Sequence, residues 1–105
     1  SAQQIFNKLE KISILMINKI INKKNIRFYK QKNKGSFYPR RKPEQSNIKN
    51  INNPNLKKLY DFIRMLDANG YPNAFIEFKE FKLLLNQAKL YKNRIYGKFK
   101  IVKKK

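Results

Sequence analysis

Cations and aromatics are the residues of this chain whose types and spacing suit chemistry, and the chemistry they suit is binding. Ser36-Phe37-Tyr38-Pro39-Arg40-Arg41-Lys42-Pro43-Glu44-Gln45-Ser46 puts two aromatics and three consecutive cations into one short segment that is expected to be extended. Arg40 and Arg41 can grip phosphate oxygens in bidentate fashion with Lys42 as a third charge, while Phe37 and Tyr38 can stack on exposed bases. Near the C-terminus Arg94, Lys98 and Lys100 recur at even spacing. A strand there would project all three from one sheet face. These residues are the candidate nucleic-acid-binding set. The competing account is a solvated cationic face, with the aromatics covering the core.

Catalysis has less to work with. The chain has no histidine and no cysteine. That removes the commonest general base near neutral pH, thiolate metal ligands and the Ser-His and Cys-His dyads. Its acids are Glu10, Glu44, Asp61, Asp67, Glu77 and Glu80, and no pair has metal-binding or glycosidase spacing. Asp61 and Asp67 are expected to pair on a helix surface, Asp61 with Lys57 or Lys58 and Asp67 with Arg64. Gly35, Gly70 and Gly97 are too scattered for a phosphate loop. No catalytic residue and no metal site is expected.

Charge narrows the partners. Lys and Arg number 26 against 6 Asp and Glu, a formal charge of +20 over 105 residues. Such a field favours polyanions, although abundant Lys, Asn, Ile, Tyr and Phe also suit an AT-rich coding sequence. No apolar run approaches the ~18 residues of a membrane span, no signal peptide is visible, and the expected compartment is the cytoplasm. The chain opens Ser1-Ala2 and is expected to be a piece of a larger protein.

Three segments must position the candidates. Residues 1–24 read as a helix, with capping-box spacing at Ser1 and Gln4 and an apolar stripe of Ile5, Leu9, Ile12, Met16 and Ile20 that requires a partner. Residues 25–53 read as a basic linker. Ten cations lie between Asn22 and Asn50, and Gly35, Pro39 and Pro43 interrupt regular structure. Residues 54–105 read as a small α+β domain. Asn53 as N-cap and Pro54 at the first position open a second helix, whose apolar face is Leu56, Leu59, Tyr60, Ile63 and Leu66, and Gly70 stops it. Three apolar-alternating runs then predict strands around Ala74–Phe78, Phe81–Tyr91 and Arg94–Ile101. Turns fall at Lys79-Glu80 and Lys92-Asn93, with Gly97 at a bulge. The expected architecture is two helices with a three-stranded antiparallel meander.

Residues on both sides of the second helix resemble a family. Arg40, Arg41, Pro43, Glu44, Ser46 and Ile48, then Leu59, Ile63, Arg64, Leu66 and Asp67, then Gly70, Tyr71, Pro72, Ala74 and Phe75 are similar to the linker and C-terminal domain of the folate-dependent formyltransferases. That group includes methionyl-tRNA formyltransferase and the sugar-nucleotide N-formyltransferases. The resemblance implies a small OB-like barrel, of which the three strands read here make a truncated version. It also implies a preceding catalytic domain, absent here, that carries Asn, His and Asp and binds 10-formyltetrahydrofolate. On that basis residues 1–24 are the helix that follows the catalytic domain. The implied function is noncatalytic: supporting that domain and holding the acceptor, tRNA or a sugar nucleotide. The alternative from the residues alone is a stand-alone basic nucleic-acid-binding module.

Overall fold

The computed structural model describes residues 1–105. It contains two α-helices and one antiparallel sheet: α1 (Ala2–Ile21), α2 (Leu56–Met65), β1 (Ala74–Phe78), β2 (Phe81–Tyr91) and β3 (Arg94–Lys103), with the strands in spatial order β1-β2-β3. This is the expected α+β meander.

α1 begins with the capping box read from the sequence. Ser1 Oγ accepts the Gln4 amide at 3.4 Å, and the Gln4 side-chain oxygen accepts from the Ser1 amine at 2.6 Å. Only its first turns touch the rest of the chain. The Gln3 amide donates to the Asp67 carbonyl (3.1 Å), the Asn69 amide donates to Gln3 Oε1 (2.8 Å), and the Phe6 and Tyr71 rings lie 5.9 Å apart. The remainder projects, giving a molecule 61 Å in its longest dimension, and no α1 residue is buried. Its apolar stripe therefore remains open to water.

Residues 22–42 have no helix or strand and are exposed throughout. From Pro43 the chain becomes ordered, contrary to the expectation of an irregular linker up to residue 53. Two 3₁₀ turns, Pro43–Ser46 and Ile48–Asn50, flank Asn47, which bridges Phe75 in parallel beside the outer edge of β1. Ser46 and Asn47 are buried, and Ser46 Oγ lies 3.5 Å from the Pro72 carbonyl. Short polar side chains permit this, because they supply partners to backbone groups that a turn leaves open.

α2 starts two residues later than the sequence suggests. Asn55, not Asn53, is the N-cap, and its Oδ1 accepts the Lys58 amide at 2.8 Å. Asn53 instead adopts a left-handed φ of 47°, and Lys58 Nζ ties down the Asn52 and Asn53 carbonyls. The helix also ends before Gly70. Leu66 is the C-cap, and Gly70, at φ +74°, turns the chain towards β1.

The core is small. Ile63 and Leu66 of the α2 segment meet Ala74, with Leu59, Phe62, Leu85 and Ala88 packed around them. Register sorts the sheet into two faces: Ala74, Leu85 and Phe99 form one cross-strand row, and Phe75, Leu84 and Lys100 the row on the opposite face. The register shifts between Asn86 and Lys89, so that Gln87 and Ala88 together oppose Gly97. This is the bulge expected at Gly97, with the extra residue on β2. A Cβ on Gly97 would meet the Asn86 carbonyl oxygen at 3.0 Å and Ala88 Cα at 3.5 Å, so close backbone approach explains the glycine.

Candidate nucleic-acid interface

β3 has no irregularity of its own, so strand alternation puts Arg94, Tyr96, Lys98, Lys100 and Val102 on one face. The predicted trio Arg94, Lys98 and Lys100 is thus assembled. Neighbouring strands add to it. Lys82, Leu84 and Asn86 share that face before the bulge, and Lys89 and Tyr91, paired with Tyr96 and Arg94, share it after the bulge. At the hairpin tip the Tyr91 and Tyr96 rings meet edge to face at 5.6 Å, and Arg94 Nη1 reaches Tyr96 Oη at 3.3 Å. Tyr91, Lys92, Asn93, Arg94 and Tyr96 line an open hollow of about 510 Å³. Cations flanking an aromatic platform are what single-stranded nucleic acid requires: charge to follow the backbone and rings on which bases stack.

The sequence set missed Lys89, Tyr91 and Tyr96. Tyr96 follows from alternation along β3 alone. Lys89 and Tyr91 do not, because the extra β2 residue reverses their facing relative to Lys82. The one signal in the sequence was Gly97, read as a bulge position; only the structure puts the extra residue on β2, where Gln87 adopts a left-handed φ of 51°.

The linker cations form a second, separate group. Arg40, Arg41 and Lys42 line a cleft of about 210 Å³ with Pro43, Ser46, Leu66, Gly70, Tyr71 and Pro72. Arg41 already has protein partners: its Nη2 donates to the Gln45 carbonyl at 2.7 Å, and its guanidinium lies 5.3 Å above the Phe62 ring. Phe37 and Tyr38 are 91% and 84% exposed. They lie outside the core, so the account in which they cover it does not hold.

Three of the six acids, Asp61, Asp67 and Glu77, have structural roles. Asp61 pairs with Arg64 at 2.8 Å, three residues along the helix, so Arg64 is not the partner of Asp67 as expected. Asp67 lies beyond the end of α2, where its Oδ2 accepts the Gln87 amide at 2.9 Å and ties the helix terminus to the bulge. Glu77, on the basic face, contacts Lys82 Nζ at 3.5 Å and Lys104 Nζ at 3.4 Å. Partial desolvation pushes the Glu77 carboxyl up, but the hydrogen bond and charge of Lys104, followed by those of Lys82, outweigh it and hold the group below its ordinary value. No three acidic side chains gather where they could hold a metal ion.

Residues 43–102 match the family model described as methionyl-tRNA formyltransferase, C-terminal domain. The chain belongs to that family. The match starts at Pro43, where regular structure resumes, and ends within the last residues of β3. A solved structure, the methionyl-tRNA formyltransferase from Clostridium thermocellum, superposes at a TM-score of 0.87 with 36% sequence identity over 98% of this chain. That likeness extends the family architecture to α1 and the exposed linker. The match covers 44% of the relative's chain. A search of curated proteins found no match.

Proposed function

We propose that this chain is the noncatalytic C-terminal domain of a formyltransferase acting on methionyl-tRNA, and that it holds the acceptor RNA. The observation that carries the RNA reading is the basic sheet face, where Lys89, Arg94, Lys98 and Lys100 surround the Tyr91–Tyr96 pair. Formyl transfer and 10-formyltetrahydrofolate belong, on this reading, to a catalytic domain outside the chain. The residues here do not fit that cofactor's chemistry, since there is no histidine and three of the six acids, Asp61, Asp67 and Glu77, are engaged by Arg64, the bulge and Lys104. The α1 stripe then docks on the catalytic domain, which explains a long apolar helix with no buried residue. No helix is long and apolar enough to cross a membrane.

The basic face predicts that the chain binds tRNA in a salt-dependent manner and alone transfers no formyl group. Fluorescence anisotropy with labelled tRNA tests the first point, and an assay for formylated product tests the second. Salt-independent binding, or turnover by the purified chain, would overturn the reading. The three-stranded sheet favours one second reading, a sugar-nucleotide acceptor. A nucleoside diphosphate sugar offers only its pyrophosphate, so its binding would release far fewer counterions than the tRNA.

A further inference from the structure

The tip of the β2–β3 hairpin differs in kind from the rest of the basic face. Along β3 that face presents Lys98 and Lys100, whose ammonium groups can follow any phosphate backbone. At the tip, Tyr91 and Tyr96 stand diagonally across the two strands, since Tyr91 is paired with Arg94 and Tyr96 with Lys89. Their rings meet edge to face, with centroids 5.6 Å apart and planes at 76°. An edge-to-face pair covers only one ring face, and the two side chains remain 55% and 51% exposed. Aromatic surface therefore faces the hollow of about 510 Å³ that the pair lines with Lys92, Asn93 and Arg94. Arg94 sits beside it, with Nη1 3.3 Å from Tyr96 Oη and no carboxylate pairing its guanidinium.

We infer that this hollow takes one unpaired nucleotide of the bound RNA, its base stacked on the Tyr91–Tyr96 pair and its phosphate on Arg94. The inference rests on the reading of the chain as an RNA-holding domain, and it names the part of the RNA that the tip engages. A paired helix hides its base faces within its own stack and shows a protein only edges, sugars and phosphates. An open aromatic face therefore serves a base that lies outside a helix. The other lining residues suit a nucleotide in the same way. Lys92 and Arg94 bring positive charge with no acid among the five, and Asn93 brings an amide that can both donate to and accept from a base edge. Four residues of strand, about 13 Å at 3.3 Å each, separate Tyr96 from Lys100. The lysines thus meet flanking phosphates, whatever their pairing state, while the tyrosines discriminate.

Anisotropy titrations of the chain with two labelled RNAs test the inference: a blunt duplex, and the same duplex with three unpaired adenosines inserted in one strand. The parent should bind the interrupted duplex roughly tenfold more tightly than the plain one. Tyr91→Ala and Tyr96→Ala should each bring that affinity towards the value for the plain duplex, with the salt slope unchanged because no charge is removed. Tyr91→Phe keeps the ring and should bind as the parent does, whereas Lys98→Gln should weaken both RNAs by the same factor. Both tyrosines are half exposed, so the variants should retain the parent's circular dichroism. Equal affinity of the parent for the two RNAs overturns the inference and leaves the acceptor-RNA reading standing. So does a Tyr91→Ala variant that loses affinity equally for both. Failure to bind either RNA overturns that reading, and the inference with it.

Discussion

Replacing Lys98 and Lys100 by Gln should flatten the salt dependence of tRNA binding without altering the fold. The basic face carries Lys82, Lys89, Arg94, Lys98 and Lys100. Lys82 is already engaged, by Glu77 at 3.5 Å and by the Phe75 ring at 4.6 Å, which leaves four cations to neutralise phosphates. At about −0.9 per contact, the value for duplex B-DNA, the logarithmic slope is about −3.6. A fourfold rise in salt then weakens binding about 150-fold. The double variant keeps two contacts and a slope of about −1.8, so the same rise costs only about 12-fold. Both lysines are exposed, so the variant should melt with the parent. Anisotropy titrations at several salt concentrations read the slope directly, and Lys103→Gln, on the opposite face, is the control that should leave it unchanged. An unaltered slope in the double variant, or an equal loss in the control, would refute the assignment of phosphate contacts to this face.

Three other substitutions test the structural account. Gly97→Ala puts a methyl 3.0 Å from the Asn86 carbonyl oxygen, so the bulge must shift; a loss of about 1–3 kcal/mol is expected in urea unfolding. Arg41→Ala removes the contact with Phe62 and the hydrogen bond to Gln45, and should lower stability by about 1–2 kcal/mol, whereas Arg40→Ala should change stability little. Glu77, held below its ordinary pKa of 4.5 in the folded state, binds fewer protons folded than unfolded near that pH. Its contribution is therefore complete above pH 4.5 and lost as pH falls through the lower folded value. Melting temperatures between mildly acidic and more strongly acidic buffers should fall more steeply for the parent than for Glu77→Gln.

Strand identity and sheet order were legible because residue alternation and the two turns, Lys79-Glu80 and Lys92-Asn93, agree with each other. The trio Arg94, Lys98 and Lys100 was legible for the same reason, since β3 is uninterrupted. What was hidden depended on single backbone events. One inserted residue at Gln87-Ala88 brings Lys89 and Tyr91 to the face of Lys82, and no period-2 count anticipates that. The α2 start was ambiguous because Asn53 and Asn55 both suit an N-cap, and only the geometry shows which oxygen meets an amide. Arg41 had the right chemistry for phosphate, yet Phe62 and Gln45, distant from it in local pattern or role, claim much of its guanidinium.

The two sheet faces differ in how fully the chain itself satisfies them, because their origins differ. α2 has ten residues, about 15 Å at 1.5 Å each, while β2 has eleven, about 36 Å at 3.3 Å each. A helix that short cannot cover the length of the apolar face, so part of it must find another partner or stay wet. The charged face has no such deficit, because cations are stable in water and gain only when a polyanion displaces their counterions. Added salt therefore weakens whatever the cations hold and leaves the uncovered apolar side chains as they are. Loss of salt dependence in the variant carrying Lys98→Gln with Lys100→Gln would isolate the cationic face as the surface that holds the polyanion.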